Sequence, residues 1–198
     1  ASDVYKRQGE KIEIKKMKVE FEFKIPTEIH LDLSQKYANL SLEKRAGDVN
    51  LVLFKSDLIA ADIDGNLTMT GKYGDFVLGN APKADLNLFK AKLKAMNIPI
   101  IEAKANYSNL EFNNTNTVNL TAFKTDAVFN SISSKMSSNF RYGDLEIKEN
   151  SNDLELVAFK AKINSKDLKQ VELNASYSSL EGGNVSILNL TKAFQSQL

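Results

Sequence analysis

His30 in the stretch IPTEIHLDL is the only histidine of the chain. One imidazole rules out a two-histidine relay or a histidine metal cluster, and a Ser-His-Asp triad would have to be built on this residue alone. Its alternation with Ile29 and Leu31 marks it as a surface or strand-edge side chain. The DIDGN stretch at Asp62 offers oxygens at alternate positions, as calcium loops do. Gly65, however, falls at the fourth loop position instead of the sixth, and Tyr73 stands where the closing glutamate belongs, so a turn is the better reading. Asp62 and Asp64 could in principle act as a glycosidase pair, but no distinctive acidic cluster sets them apart from the other carboxylates. With no cysteine there is no thiolate nucleophile, thiolate metal site or disulfide. Arginine occurs only at Arg7, Arg45 and Arg141, which argues against the basic and acidic groove of a polysaccharide lyase. Phosphate-binding glycine loops and a GxSxG nucleophile elbow are also missing, so neither a catalytic site nor a cofactor is expected.

One chemically useful pattern remains. Lys55, Lys90, Lys124 and Lys160 each follow a phenylalanine, in LFKSD, LFKAK, AFKTD and AFKAK, while Lys36, Lys72 and Arg141 each precede a tyrosine. Seven cations in fixed relation to an aromatic repeat would form a stripe able to hold a linear polyanion such as an acidic polysaccharide. The same stripe would also serve as a solvated face that keeps a sheet from pairing with others.

The elements that must carry this stripe follow from the repeat. YANLSLEK, YGDFVLGN, YSNLEFNN, YGDLEIKEN and YSSLEGGN begin at Tyr37, Tyr73, Tyr107, Tyr142 and Tyr177, and the phenylalanine phrases lie between them at Phe54, Phe89, Phe123, Phe159 and Phe194. The period near 35 residues is thus two variants of one shorter unit. Apolar residues alternate around the aromatics, as Leu31 and Leu33 do before Tyr37 and Leu40 and Leu42 after it. Turn-formers recur with the same period, at Gly47-Asp48, Asp64-Gly65-Asn66, Gly79-Asn80 and Gly182-Gly183-Asn184. A unit of two short strands cannot bury its own apolar face, whereas stacked copies bury a continuous core and complete the backbone hydrogen bonds. The expected fold is all-β, a β-solenoid of about ten short rungs, with a right-handed parallel β-helix the expected form. The aromatics are expected to form an internal or semi-internal ladder, in which Phe123→Ala would cost about 3 to 5 kcal/mol. The small residues Ala38, Gly74, Ser108, Gly143 and Ser178 are expected to leave room for the lysines. The helical spacing of Leu86, Phe89, Leu93 and Met96 supports strand-helix repeats as an alternative, and an antiparallel all-β fold is a third.

Residues 1–8, ASDVYKRQ, fit neither the repeat nor the alternation and are expected to be a non-native or disordered leader; residues 9–30 read as N-terminal strands or a cap, and residues 31–198 as solenoid repeats. The formal net charge of +1 gives no general attraction to nucleic acid or anionic membrane, and no apolar run is long enough for a transmembrane helix. Sequons at Asn39, Asn66 and Asn106 follow from the Asn- and Ser-rich repeat.

The phrases KIPTEIHLDLSQKYANLSLEK, DIDGNLTMTGKYGDFVLGN and LNASYSSLEGGN resemble the β-strand-repeat adhesin families of gut anaerobic bacteria, which are similar to the auto-transporter adhesin head domain. The resemblance covers roughly residues 24–198 and departs from the family phrase at Tyr37, Tyr107 and Tyr177, where Ala or Ser follows in place of Gly. It implies a secreted, periplasmic or envelope-attached protein without catalytic residues. The function expected from it is adhesin-like: a repetitive face presented to a glycan or cell-surface component. The alternatives are a spacer that self-associates end to end and, more remotely, a polysaccharide-active enzyme.

Overall fold

The computed structural model describes residues 19–149 and 151–197, which contain no helix; parallel strands stack into a β-solenoid. The early turns each carry a longer strand and a shorter one. In chain order these are β1 (Leu31–Lys36) and β2 (Leu40–Leu42), β3 (Val49–Phe54) and β4 (Leu58–Ala60), β5 (Leu67–Lys72) and β6 (Asp75–Leu78), and β7 (Lys83–Phe89) and β8 (Lys92–Ala95). After β9 (Ile100–Asn106), the strands β10 (Asn109–Phe123), β11 (Asp126–Ile147) and β12 (Ser151–Ser165) run through the corners without a break. β13 (Leu168–Ser176), β14 (Ser179–Glu181) and β15 (Val185–Phe194) follow. The long sheet runs β1-β3-β5-β7-β9-β10-β11-β12-β13-β15, ten strands and so about ten turns; the short strands form a second wall, β2-β4-β6-β8-β10.

Alternation along each strand sends every second residue inward, and stacking lines these residues up into columns. Leu51, Met69, Leu86, Ala103 and Leu120 are successive partners in one buried column of the long wall. Leu58, Phe76, Leu93 and Leu110 form a facing column on the short wall. Sizes compensate between the walls: a Cβ on Gly71 would lie 2.3 Å from the ring of Phe76, so glycine there makes room for the phenylalanine. Phe112 and Phe129 stack inside, their centroids 5.1 Å apart. Leu86 and Leu93 are buried, Phe89 is half-buried and Met96 is exposed, so their three-and-four spacing marks no helix face.

The expected N-terminal strands are corrected in part. Residues 9–18, like the leader 1–8, lie outside the described residues, and residues 19–30 contain no strand. They fold against the first turn through Arg45, which is buried and donates to the carbonyls of Ile25 (3.2 Å), Pro26 (2.7 Å) and Ile29 (3.0 Å). The alternation of Val19, Phe21 and Phe23 produces no ladder because no turn among the described residues lies beside it to complete the hydrogen bonds, and these side chains are exposed. His30 is also on the surface, 3.7 Å from Asp32.

Candidate functional site

The aromatics do form a continuous ladder, but it lies outside the core. From Tyr37 to Phe194 each ring meets the next edge to face, with centroids 5.2 to 6.0 Å apart. The tyrosines are exposed, from 39% at Tyr142 to 70% at Tyr37, and Phe123 is only half-buried. The register explains this correction. Phe54 pairs with Lys36 and Lys72, and Phe123 with Asn106 and Arg141, so the phenylalanines share a column with cations and polar residues. The tyrosines occupy the next position around the corner, together with the lysines that follow each phenylalanine.

That corner position has a left-handed backbone in every turn: φ lies between 45° and 60° at Tyr37, Lys55, Tyr73, Lys90, Tyr107, Lys124, Tyr142, Lys160, Tyr177 and Gln195. A left-handed residue breaks the in-out alternation, so the side chain before it and its own both point outward. The result is a two-column ridge in which rings alternate with cations, and at Asn106, Ser176 and Gln195 with polar residues, in both directions. Lys72 and Arg141 sit between phenylalanines in one column, which Lys36 opens beside Phe54; Lys55, Lys90, Lys124 and Lys160 sit between tyrosines in the other. All seven are exposed.

The lysines of the tyrosine column are held by rings. The Lys124 ammonium lies 5.2 Å from the Tyr107 ring centre and 5.8 Å from that of Phe123. Lys55, Lys90 and Lys160 repeat the arrangement at 5.5 to 5.7 Å from the equivalent pair. Other surface lysines pair with acids instead: Lys44 with Asp64, Lys94 with Glu111, Lys135 with Glu155 and Lys162 with Glu181, at 2.8 to 3.7 Å. The hydrogen bond that the Lys135 ammonium donates to Glu155, followed by the carboxylate's charge, raises the Lys135 pKa. A ring attracts the ammonium without neutralising it, so the ridge keeps its net charge where the paired lysines lose theirs.

Beyond the first turn, where Ala38 is exposed, the small residues after the corner are buried or half-buried, which corrects the expectation that they make space for lysines. Ser108 and Ser178 are buried and tie neighbouring turns together: the Ser108 hydroxyl donates to Asn106 O (2.9 Å) and accepts from the Ala91 N–H (3.2 Å). At Gly143 the limit is a close approach, because a Cβ would lie 2.0 Å from the Thr125 carbonyl oxygen.

The opposite corner carries an amide ladder. Asp62 Oδ1 accepts from the Asn80 backbone N–H (2.8 Å) and side-chain amide (2.9 Å); Asn97 Nδ2 donates to Asn80 Oδ1 (3.0 Å), and Asn114 Nδ2 to Asn97 Oδ1 (2.9 Å). The DIDGN stretch is therefore a turn whose carboxylate is engaged by the next turn. Among the described residues no three His, Asp or Glu side chains converge as a metal site would require.

Sequence reasoning missed one feature beside the ridge, a shallow depression of about 550 Å³ on the outer face of the long sheet. Its floor is two rows of side chains, Asp85-Glu102-Asn119-Ser137 and Asn87-Lys104-Thr121-Asn139, which lie on the same strand face as Phe89 and Phe123. In the sequence these read as ordinary solvated alternation, and no residue type among them marks a hollow.

No family model, curated protein or solved structure matches the chain.

Proposed function

We propose that this solenoid is a non-enzymatic, adhesin-like binding module of the cell exterior that takes an acidic glycan, or an anionic surface component with regularly spaced charges, along its ring-and-cation ridge. The observation that carries this reading is the uncompensated charge of Lys55, Lys90, Lys124 and Lys160: each ammonium is placed by at least two neutral rings, and among the described residues none has a carboxylate at ion-pair distance. Equivalent lysines two turns apart are spaced by about 9.6 Å, close to one Debye length at moderate salt, so they repel one another weakly while acting together on a chain that spans them. Each contact is weak, and the fixed spacing turns several into one multivalent grip. The rigid stack lowers the ordering cost on the protein side. The β-strand-repeat adhesin resemblance supports the same reading and its location outside the cytoplasm.

The test is titration of soluble polygalacturonate and of neutral dextran into the wild-type chain and the Lys90→Glu, Lys124→Glu double variant, at low and at physiological salt. The expected result is salt-sensitive binding of polygalacturonate alone, lost in the variant while its melting curve is unchanged. Equal binding by both proteins, or none by either, contradicts the proposal.

A further inference from the structure

We propose a second binding site, adjacent to the ridge and different from it in chemistry: the depression on the long sheet is a groove for an uncharged saccharide chain lying along the solenoid axis. The argument starts from what its floor presents. Asp85, Asn87, Glu102, Asn119 and Asn139 end in planar carboxylate or amide groups, each carrying two polar atoms side by side. Neighbouring hydroxyls of a sugar ring both donate and accept, so such a planar group can bond two of them at once. Asn119 Nδ2 already donates to Glu102 Oε1 at 2.8 Å, which fixes both heads and leaves Asn119 Oδ1 and Glu102 Oε2 for a ligand. Asn139 Oδ1 is buried and has no hydrogen-bond partner among the described residues, so the amide gains a bond if its side chain turns outward to a ligand.

The electrostatics select against the ligand of the ridge. Asp85 and Glu102 place two carboxylates on the floor and Lys104 one ammonium, so an acidic polymer meets repulsion where an uncharged one meets only hydrogen-bonding groups. Val157 supplies an apolar side chain in the lining, and the half-buried Phe89 and Phe123 stand one outward position beyond Asn87 and Thr121. The exposed part of each ring is a surface for the C–H face of a pyranose. The groove also runs on. A second hollow of about 320 Å³, lined by Arg141, Phe159 and Asn174, shares Val157 with the first, and both lie along the stacking direction. Repeated polar rows at about 4.8 Å per turn suit a chain more than a single sugar.

The experiment is calorimetric titration of the whole chain with cello-, xylo-, manno- and malto-oligosaccharides from disaccharide to hexasaccharide. Proteins compared are the wild type, Asn119→Val with Asn139→Val, Thr121→Tyr, and the Lys90→Glu, Lys124→Glu variant. Thr121 points outward, so tyrosine there fills the groove without entering the core and keeps a strand-forming residue in place. The expected result is binding of at least one neutral series that tightens with chain length and is insensitive to salt. Affinity should fall about tenfold or more in both groove variants, as expected when hydrogen-bonding groups are removed or covered, and stay within about twofold in the lysine variant. The proposal is overturned if no neutral series binds at millimolar concentration, or if binding survives both groove variants while their melting curves match the wild type. Loss on lysine reversal alone would assign the sugar to the ridge and also overturn it.

Discussion

The two corners of each turn stack identical positions every rung, with opposite consequences for what they can bind. At the amide corner, Asp62, Asn80, Asn97 and Asn114 turn their polar atoms on one another and on the backbone of the next turn. Each hydrogen bond made within the ladder is one fewer for a ligand. At the aromatic corner the groups that hold the lysines are π-faces, which carry no full charge, so the ammonium N–H groups and their charge remain outward. A hydrogen-bonded ladder uses up its own functional groups, whereas a ring-and-cation ladder positions them and leaves them available.

Four substitutions test that contrast, beginning with the most disruptive. Gly143→Val places side-chain atoms against the Thr125 carbonyl at the aromatic corner and should cost about 3 kcal/mol. An unchanged urea midpoint would show that the corner has slack the structure does not suggest. Phe123→Ala should cost about 2 kcal/mol, less than the figure expected for a core residue, because the ring is only half-buried. A loss of 4 kcal/mol or so in the same denaturation assay would put the ladder back inside. Asn97→Ala removes three side-chain hydrogen bonds at the exposed amide corner and should cost about 1 kcal/mol without altering the binding of any acidic polymer. Lys124→Met should have the smallest effect on stability, about 0.5 kcal/mol, yet weaken polygalacturonate binding measurably. Unaltered affinity would detach the ridge from function.

Most of the architecture could be read from the chain because a stacked fold writes its period into the sequence: the recurrent Gly-Asp and Gly-Asn turns, the alternating leucines and the aromatic phrases all mark one unit. Whether the aromatics faced in or out was harder, since both faces of a strand alternate in the same way. The signal was present in the uneven steps. Tyrosine-to-phenylalanine intervals are 17, 16, 16, 17 and 17 residues, whereas phenylalanine-to-tyrosine intervals are 19, 18, 19 and 18, as required if the tyrosines sit one position further around the corner. What the steps could not reveal is the left-handed backbone at those positions, because Tyr and Lys are not residues that announce a positive φ. Nor could they reveal the hollow beside Asn119, which depends on how far each outward side chain rises from the sheet.

The most direct measurement of the ridge is the NMR shift of the lysine side-chain methylene protons during titration with an oligogalacturonate. The Hε resonances of Lys55, Lys90, Lys124 and Lys160 should lie upfield of those of Lys94 and Lys135 because they sit over rings, and should move as the acidic chain is added while the paired lysines stay still. Resonances at ordinary lysine positions that do not respond to the ligand would contradict both the geometry of the ridge and the role proposed for it.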